Sequence, residues 1–266
     1  MKHTPVLYVL LATVLALSAC STPATAEPTQ LPPPTTAPEP TPVPPTAPPP
    51  EPTAEPSPES TPTIEPTATP ENQLFRDDFT GELQPGWTWE NENPDKWTIT
   101  DDGWLQIIGE DGFRLDGNEN NQSNMLWRAV PEGDFVITAH IETKPDTNFQ
   151  QTAIWLYEDG ENFIVINRGF CEPCGGNGVY MDYRIQGNIG NYKFPTEETD
   201  LYLRLESNED VISGYYAFQP DEWERLGRFG NFFTFKQVGL GVSNVDPFGA
   251  DSDVVGRYDY FEITMP

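Results

Sequence analysis

The chain has little positive charge. Lys and Arg together number 14 against 42 Asp and Glu, which gives a formal net charge of −28. Nucleic acids and anionic membrane surfaces are bound through clusters of Lys and Arg, so this balance argues against both as partners. It permits neutral ligands and cations, and calcium is the usual divalent ion outside cells that binds carboxylate and carbonyl oxygens.

Histidine is scarce as well. His3 lies in the leader described below, so His140 is the one imidazole left for the mature chain. No serine or cysteine motif accompanies it, which argues against a nucleophile activated by histidine. We expect His140 to be a structural residue.

No apolar run is long enough to span a bilayer. The run from Val6 to Leu17 is shorter than the roughly 20 residues that a spanning helix needs. It ends in Leu17-Ser18-Ala19-Cys20, which resembles the lipobox of bacterial lipoproteins. Residues 1–19 are therefore predicted to be a lipoprotein signal, with lipidation at Cys20 and anchoring to the bacterial cell envelope. An ordinary secretory signal cleaved near Ala19 is the alternative.

Apolar residues are also rare between Ser21 and Asn72. This stretch holds 19 of the 29 prolines, seven Glu and no Lys or Arg. Such a segment has no apolar face to bury and stays extended, so residues 20–72 are predicted to be a disordered stalk. Residues 73–266 then form one domain with 35 acidic and 13 basic residues, a net charge of −22.

The domain lacks the apolar spacing of an amphipathic helix, and its apolar residues alternate instead. In "DLYLRLE" Leu201, Leu203 and Leu205 share one face, and "DFVITAHI" alternates in the same way. About a dozen such runs are separated by turn clusters such as Gln219-Pro220-Asp221. The pattern predicts an all-β fold, an antiparallel sandwich of two sheets.

Several segments also occur in a recognisable order. They are "FRDDFTGELQPGWTWENENPDKWTITDDGWLQI", "DFVITAHIE", "QQTAIWLYEDGENFIVINR", "LYLRLES", "YYAFQPDEWERLG", "KQVGLGVS" and "YDYFEI". Together they resemble the concanavalin A-like lectin and glucanase superfamily, and most closely the non-catalytic C-terminal sandwich of family 43 xylosidases and its stand-alone relatives. The resemblance covers nearly all of residues 74–266 and implies a jelly-roll sandwich. The superfamily includes lectins, glucanases and spacers, so fold alone does not fix function.

The acids give no sign of catalysis. The glucanase branch carries its acids as Glu-x-Asp-x-x-Glu along one strand, and no such run occurs here. The dense acids of "YEDGEN", "ESNED" and "PDEWE" lie at predicted turns, which is typical of solvated charge. We therefore assign no catalytic residue.

Two cysteines lie in a glycine-rich segment. Cys171 and Cys174 form a CxxC pair in "NRGFCEPCGGNGVY". A zinc site needs four ligands, and the chain offers few others. In an exported protein the pair is predicted to form a disulfide, with free thiols or redox chemistry as the alternative.

A carboxylate in the last strand suggests a metal ion. In "GRYDYFEIT" alternation places Asp259 on the face of Phe261 and Ile263, where an unpaired charge is costly. An ion pair with Arg76 or Arg257 is the alternative to a cation.

The resemblance implies which residues would hold that ion. In the superfamily a structural calcium is often bound by the aspartate of the last strand and by groups near the first strand. By position this implicates Asp259, the "RDDF" segment with Asp77 and Asp78, and the carbonyl near Gly103.

Aromatic residues supply candidates for sugar binding, which sets a flat ring beneath a pyranose and polar groups against its hydroxyls. Trp87 and Trp89 share a face if their segment is extended, with packing under a sheet edge as the alternative, and Trp97 is predicted to enter the core. The middle strands add candidates that mix rings with charged groups: Trp155, Tyr157, Arg168, Tyr180 and Arg184, with Asp182 between the last two.

These patterns favour a surface lipoprotein that displays a non-catalytic, carbohydrate-binding sandwich whose partner is a polysaccharide or glycan. Two other readings are open. One is a glycan-active hydrolase or lyase whose acids converge from different strands. The other is a structural or protein-interaction module without a ligand.

Overall fold

The computed structural model describes residues 71–110, 122–244 and 253–266. The predicted signal, the lipidation site at Cys20 and nearly all of the predicted stalk lie outside these residues. No helix among the described residues combines the length and the apolar character of a membrane span.

Within the described residues the fold is built from strands, as predicted. In chain order they are β1 (Gln73–Asp77), β2 (Thr88–Glu90), β3 (Trp97–Ile99), β4 (Leu105–Gly109), β5 (Met125–Ala129), β6 (Phe135–Thr143), β7 (Gln150–Asp159), β8 (Asn162–Cys171), β9 (Gly176–Ile185), β10 (Asn188–Pro195), β11 (Asp200–Asn208), β12 (Val211–Ala217), β13 (Glu224–Gly230), β14 (Gln237–Asn244) and β15 (Val254–Thr264). Two short 3-10 turns, Pro94–Lys96 and Glu172–Cys174, connect strands.

The strands form two antiparallel sheets. The first sheet has the order β13-β12-β11-β6-β15-β4-β3, with β1 also paired to β15. The second sheet has the order β10-β9-β8-β7-β14-β5-β2. Many neighbours in space are distant in sequence, which is the connectivity of a jelly roll and confirms the predicted two-sheet sandwich.

The main core lies between the sheets, and its side chains follow the alternation of the sequence. Leu201, Leu203 and Leu205 of β11 are fully buried, while the residues between them are partly exposed. They belong to one cluster with Ile154 and Leu156 of the second sheet. In a strand with one buried face, apolar and polar residues alternate along the sequence. Such strands could therefore be predicted from the sequence.

The middle of the second sheet is buried on its outer face too. The seven residues from Gln150 to Leu156 are all buried, as are those from Phe163 to Gly169. A second apolar cluster accounts for much of this burial and comprises Met125, Trp127, Ala153, Trp155, Phe163 and Val165. The outer face of this sheet is therefore not a uniformly solvated surface.

Strand β15 contains an irregularity that reverses its faces. Tyr258 pairs with Ile141 and the next paired residue is Tyr260, which leaves Asp259 as the extra residue of a bulge. Tyr258 and Phe261 on either side are buried. A bulge shifts the alternation by one position.

Candidate functional site

A pocket of about 120 Å³ opens on the outer face of the second sheet, above β8, β9 and β10. We call it the Asp182 pocket. Its lining residues are Phe149, Gln150, Gln151, Asn167, Gly169, Phe170, Cys171, Cys174, Tyr180, Asp182, Ile189 and Asn191. Rings and aliphatic groups form its walls, while amides, a phenol and a carboxylate supply polar atoms.

Strand register brings the polar residues together. Asn167 of β8 pairs with Tyr180 of β9, and Asp182 of β9 pairs with Asn191 of β10. Paired residues of antiparallel strands point to the same face, so all four face outward. Gly169 leaves room beside them, since a Cβ there would lie 2.7 Å from the side-chain oxygen of Asn167.

A disulfide shapes one wall. Cys171 and Cys174 are joined, with their Cα atoms 5.1 Å apart, which confirms the predicted bond. The ammonium of Lys193 donates to the carbonyl of Cys174 at 3.2 Å, and the Tyr180 hydroxyl donates to the carbonyl of Gly176. The first contact fastens the loop after β8 to strand β10, and the second ties the Tyr180 side chain to the first residue of β9.

Another wall comes from a residue in an uncommon backbone conformation. Phe149, just before β7, has a φ of 64°. Its N–H donates to the carbonyl of Phe170 at 2.7 Å, which holds the left-handed turn in place. Such conformations cost free energy in residues other than glycine and persist where surrounding contacts impose them.

Burial changes the proton affinity of two pocket residues. It raises the pKa of Asp182 to about 6, against a hydrogen bond of 2.8 Å from the Asn167 amide that favours the charged form. Burial also raises the pKa of Tyr180 to about 12, and the neighbouring Asp182 charge adds to this shift. The pocket therefore holds an acid that ionises close to neutral pH and a phenol that stays protonated.

Three other predicted sugar-binding residues lie on the same outer face, outside the lining of the pocket. Trp155 belongs to the second apolar cluster, is 1% exposed, and has its ring centre 5.7 Å from that of Phe163. Tyr157 lies 5.5 Å from the ring of Trp127. Arg184 forms a salt bridge of 3.1 Å with Glu161. The ring of Trp155 is thus packed within the protein in this structure.

Arg168 lies on the opposite face of its strand. It pairs with Val179, a residue of the main core, and is 1% exposed. Its guanidinium donates to the carbonyls of Glu198 and Gly169 and to the side chain of Asn177. The structure therefore does not combine Arg168 with Trp155 and Tyr180 in one groove.

Trp87 and Trp89 pack against the main core. The Trp87 ring lies 5.0 Å from Phe261, and its indole N–H donates to Asp77 at 2.9 Å. The Trp89 ring lies 4.6 Å from Trp97, which also packs on the core. Neither Trp87 nor Trp89 lines the Asp182 pocket. The environment of both residues is the sheet-edge packing that was their alternative assignment.

The predicted calcium ligands do not form one cluster. Asp259 does not share the face of Phe261, so that prediction is wrong, because the bulge turns Asp259 outward, where its side chain is 43% exposed. It contacts His140 at 2.9 Å instead of Arg76 or Arg257. Asp78 pairs with Arg76 at 2.6 Å.

Asp77, in the first strand, has hydrogen-bond partners for its carboxylate without a metal. Asp77 is buried and accepts hydrogen bonds from the N–H groups of Phe79, Gln84 and Trp87. Gly103 lies in a turn with a φ of 80°. In the described part of the chain no group of three or more His, Cys, Asp or Glu is placed to hold a metal ion. These residues do not fit a calcium site, and the calcium stays a prediction.

His140 lies on the outer face of the first sheet. Its two ring nitrogens contact Asp259 at 2.9 Å and Asp200 at 2.6 Å. The imidazole stacks on Tyr202 with ring centres 4.3 Å apart. It is enclosed by carboxylates and rings, which is the structural environment expected for it.

The pocket lacks the usual acid pair of glycan hydrolysis. Asp182 is the single carboxylate among the described residues that line it. Glycosidases place two carboxyl groups about 5 to 10 Å apart across the scissile bond. The arrangement can bind and orient a polar ligand but does not supply both an acid and a base.

Sequence reasoning missed several pocket residues. Asn167, Gln151 and Asn191 were not candidates, although alternation places Asn167 rather than Arg168 on the face of Tyr180 once the register is known. Their signal is weak because continuous burial of β8 hides which of two neighbouring residues faces outward.

Comparison with known families gives a match over most of the domain. A family model described as the beta-xylosidase C-terminal concanavalin A-like domain matches residues 76–263. No curated protein sequence matches the chain.

Solved structures show the same fold at low sequence identity. The GH43 BlXynB protein from Bacillus licheniformis matches with a TM-score of 0.62 and 18% identity, covering 72% of this chain and 39% of that protein. A xylan beta-1,4-xylosidase from Bacillus halodurans gives 0.57 and 17%, covering 76% and 41%. A functionally unknown protein from Saccharomyces cerevisiae gives 0.51 and 14%, covering 68% and 97%. The chain thus spans about two fifths of the length of the two Bacillus proteins, and at these identities the likeness concerns fold.

Proposed function

The chain belongs to the family of beta-xylosidase C-terminal concanavalin A-like domains, and on that premise we propose that its sandwich binds a glycan without cleaving it. The Asp182 pocket is the proposed site. The observation that carries the proposal is the convergence of a phenol, a carboxylate and amides from adjacent strands in one recess.

The chemistry of the recess suits a sugar residue. Carboxylate and amide groups at Asp182, Asn167 and Asn191 offer hydrogen bonds for hydroxyls. The rings of Phe149 and Tyr180 supply apolar surface for the less polar faces of a pyranose. Ligand sites commonly combine a mostly apolar lining with a few placed polar groups in this way.

The single carboxylate supports binding over hydrolysis. A hydrolase with this pocket would need a second acid from outside its described lining. The two Bacillus proteins that contain a region of this fold are more than twice as long as that region. A name given to a whole protein does not identify the ligand of this one domain.

We also propose that the sandwich is displayed outside the cell on a lipid-anchored stalk. The support is the Leu17-Ser18-Ala19-Cys20 tetrad and the proline-rich stretch before residue 73. Mass spectrometry of the mature N-terminus tests this proposal, with a diacylated or triacylated Cys20 as the expected species. An unmodified Cys20 would refute it.

The binding proposal is tested on the full chain by two assays in parallel. A glycan array measures binding, and a reducing-sugar assay measures cleavage of the glycans that bind. Binding without release supports the proposal, and release indicates an enzyme. The absence of both binding and release favours a structural or protein-interaction role.

A matched pair of tyrosine variants locates the site. Tyr180→Ala removes a wall of the pocket and is expected to weaken binding at least about tenfold. Tyr215→Ala changes a partly exposed tyrosine on the first sheet and should leave affinity unchanged. Equal affinity in both variants would place the site elsewhere.

A further inference from the structure

The Asp182 pocket contains a carboxylate that no cation of the described chain neutralises. Asp182 accepts one hydrogen bond, from Asn167 at 2.8 Å, and forms no ion pair with any described residue. Its charged form is disfavoured by burial, as the raised pKa of about 6 reflects. A partly buried charge without a partner is costly unless a ligand makes use of it.

The nearest cations in the strand register are engaged elsewhere. Arg184, two residues further along β9, pairs with Glu161. Lys193 of β10 donates to the carbonyl of Cys174, and its ammonium lies 5.3 Å from the centre of the Tyr180 ring. Both cations therefore have other partners in this structure and do not neutralise Asp182.

Three of the donors that line the pocket already have partners. The side-chain amide of Asn167 donates to Asp182, that of Gln151 donates to Ser243 at 3.4 Å, and the hydroxyl of Tyr180 donates to Gly176. An ionised carboxylate can only accept. Asp182, the one charged group among the described lining residues, therefore presents acceptor oxygens, which favour a ligand that brings donors or positive charge.

The dimensions limit how much of a glycan enters. About 120 Å³ is small beside the roughly 300 to 1,000 Å³ of ordinary ligand clefts. The pocket has room for one residue or one substituent of a chain rather than for a length of polysaccharide. Selectivity at this point therefore depends on the groups carried by a single sugar.

From this arrangement we infer that the pocket selects a sugar residue carrying a protonated amine, such as a de-N-acetylated hexosamine, over its N-acetylated form and over a uronic acid. The inference rests on the proposed glycan binding and specifies the ligand class of that site. An ammonium group would donate to Asp182 in a charge-assisted hydrogen bond. A uronate would place a second carboxylate beside the first, in a domain that is already strongly acidic.

Calorimetric titration of the full chain tests the inference with three probes of equal length: a glucosamine oligomer, an N-acetylglucosamine oligomer and a galacturonate oligomer. At pH 7 we expect the glucosamine oligomer to bind at least about tenfold more tightly than the N-acetylated one. The galacturonate oligomer should bind most weakly. In Asp182→Asn, which keeps the shape of the side chain, the preference for the amine should fall to about one.

A variant at a second acid serves as the control. It separates binding at the pocket from general electrostatic attraction of an amine to the acidic domain. Glu197 is exposed and accepts a hydrogen bond from Asn177 at 2.7 Å, outside the lining of the pocket. Glu197→Gln removes the same charge as Asp182→Asn and should leave the preference intact. A preference that persists in Asp182→Asn would overturn the inference.

The remaining outcomes separate the two proposals. If the neutral oligomer binds as tightly as the amine, charge selection is refuted while glycan binding stands. If no probe and no array glycan binds, both proposals fail.

A second measurement applies if Asp182→Asn does not fold. The preference of the unmodified chain for the amine is then measured as a function of pH, because the ligand amine stays protonated below pH 6 while Asp182 loses its charge there. A preference that stays constant through that range would refute the inference.

Discussion

The phenolic oxygen of Tyr258 lies 2.8 Å from the carbonyl oxygen of Gly241, so a side chain of the first sheet reaches the backbone of the second. The same hydroxyl lies 2.9 Å from the carbonyl of Ala153, the residue opposite Gly241 in the ladder of β7 and β14. Tyr258 is fully buried, and its burial raises its pKa. The two sheets are thus joined through the core by a hydrogen bond as well as by apolar packing.

We expect Tyr258→Phe to destabilise the sandwich by about 1 to 3 kcal/mol, because the variant leaves buried backbone groups without this partner. Urea unfolding followed by tryptophan fluorescence measures the loss. Tyr215→Phe is the control, since no described residue forms a hydrogen bond with its hydroxyl and the residue is partly exposed. Equal stability of the two variants would show that the Tyr258 hydroxyl contributes nothing.

Asp77 provides a second test of buried polar contacts. Its carboxylate accepts three N–H groups, from Phe79, Gln84 and Trp87, each at 2.9 Å. Asp77→Asn replaces an acceptor oxygen with a donor that faces those N–H groups. We expect a loss of about 1 to 3 kcal/mol in the free energy of unfolding.

The neighbouring acid supplies the control for Asp77. Asp78 has a side chain that is 55% exposed and pairs with Arg76. Asp78→Asn removes the same charge from the next position, and exposed ion pairs contribute little. A loss in Asp78→Asn as large as that in Asp77→Asn would assign the effect to charge instead of to the buried hydrogen bonds.

How far the sequence predicts this structure depends on burial. In strands with one buried face, apolar and polar residues alternate, and this alternation identifies the buried face. Strand β11, with Leu201, Leu203 and Leu205, is an example. Alternation also grouped Tyr180 with Asp182, which proved to line one pocket. The sandwich and its inner faces were therefore predictable.

In β8 and β15 the sequence did not show which residues face outward, for two different reasons. Both faces of β8 are buried, so the sequence gives no contrast between Asn167 and Arg168, and the wrong one was chosen for the outer face. In β15 the bulge at Asp259 reverses the alternation, which no propensity in "RYDYF" signals. The location of the pocket also depends on the loop closed by Cys171 and Cys174, whose path the sequence does not specify.

Removal of calcium tests the metal prediction directly. Asp78 and Asp259 already contact Arg76 and His140, and Asp77 is satisfied by N–H donors. We therefore expect the melting temperature to be the same with a chelator and with added calcium. A fall in melting temperature on chelation that is reversed by calcium, and not by magnesium, would contradict this expectation and restore a calcium site.

The raised pKa of Asp182 predicts how stability depends on pH. The acid has a folded-state pKa of about 6 against a model value of 3.8. Between these values the folded chain binds a proton that the unfolded chain does not, so the contribution of Asp182 to stability rises as the pH falls from 7 to about 4.5. At 1.36 kcal/mol per pKa unit the gain is at most about 3 kcal/mol, and less where water enters the pocket.

Asp182→Asn cannot bind this proton, so the comparison isolates the effect from all other titrating groups. We expect the free energy of unfolding of the unmodified chain to rise, relative to Asp182→Asn, by about 1 to 3 kcal/mol over that range in urea titrations. Glu197→Gln, which removes an exposed carboxylate, is measured beside it as a control variant. If the difference in the free energy of unfolding between the unmodified chain and Asp182→Asn is constant over this range, Asp182 titrates as it does in water. Burying its charge would then cost no free energy, and the proposed selectivity for an amine would lose that support.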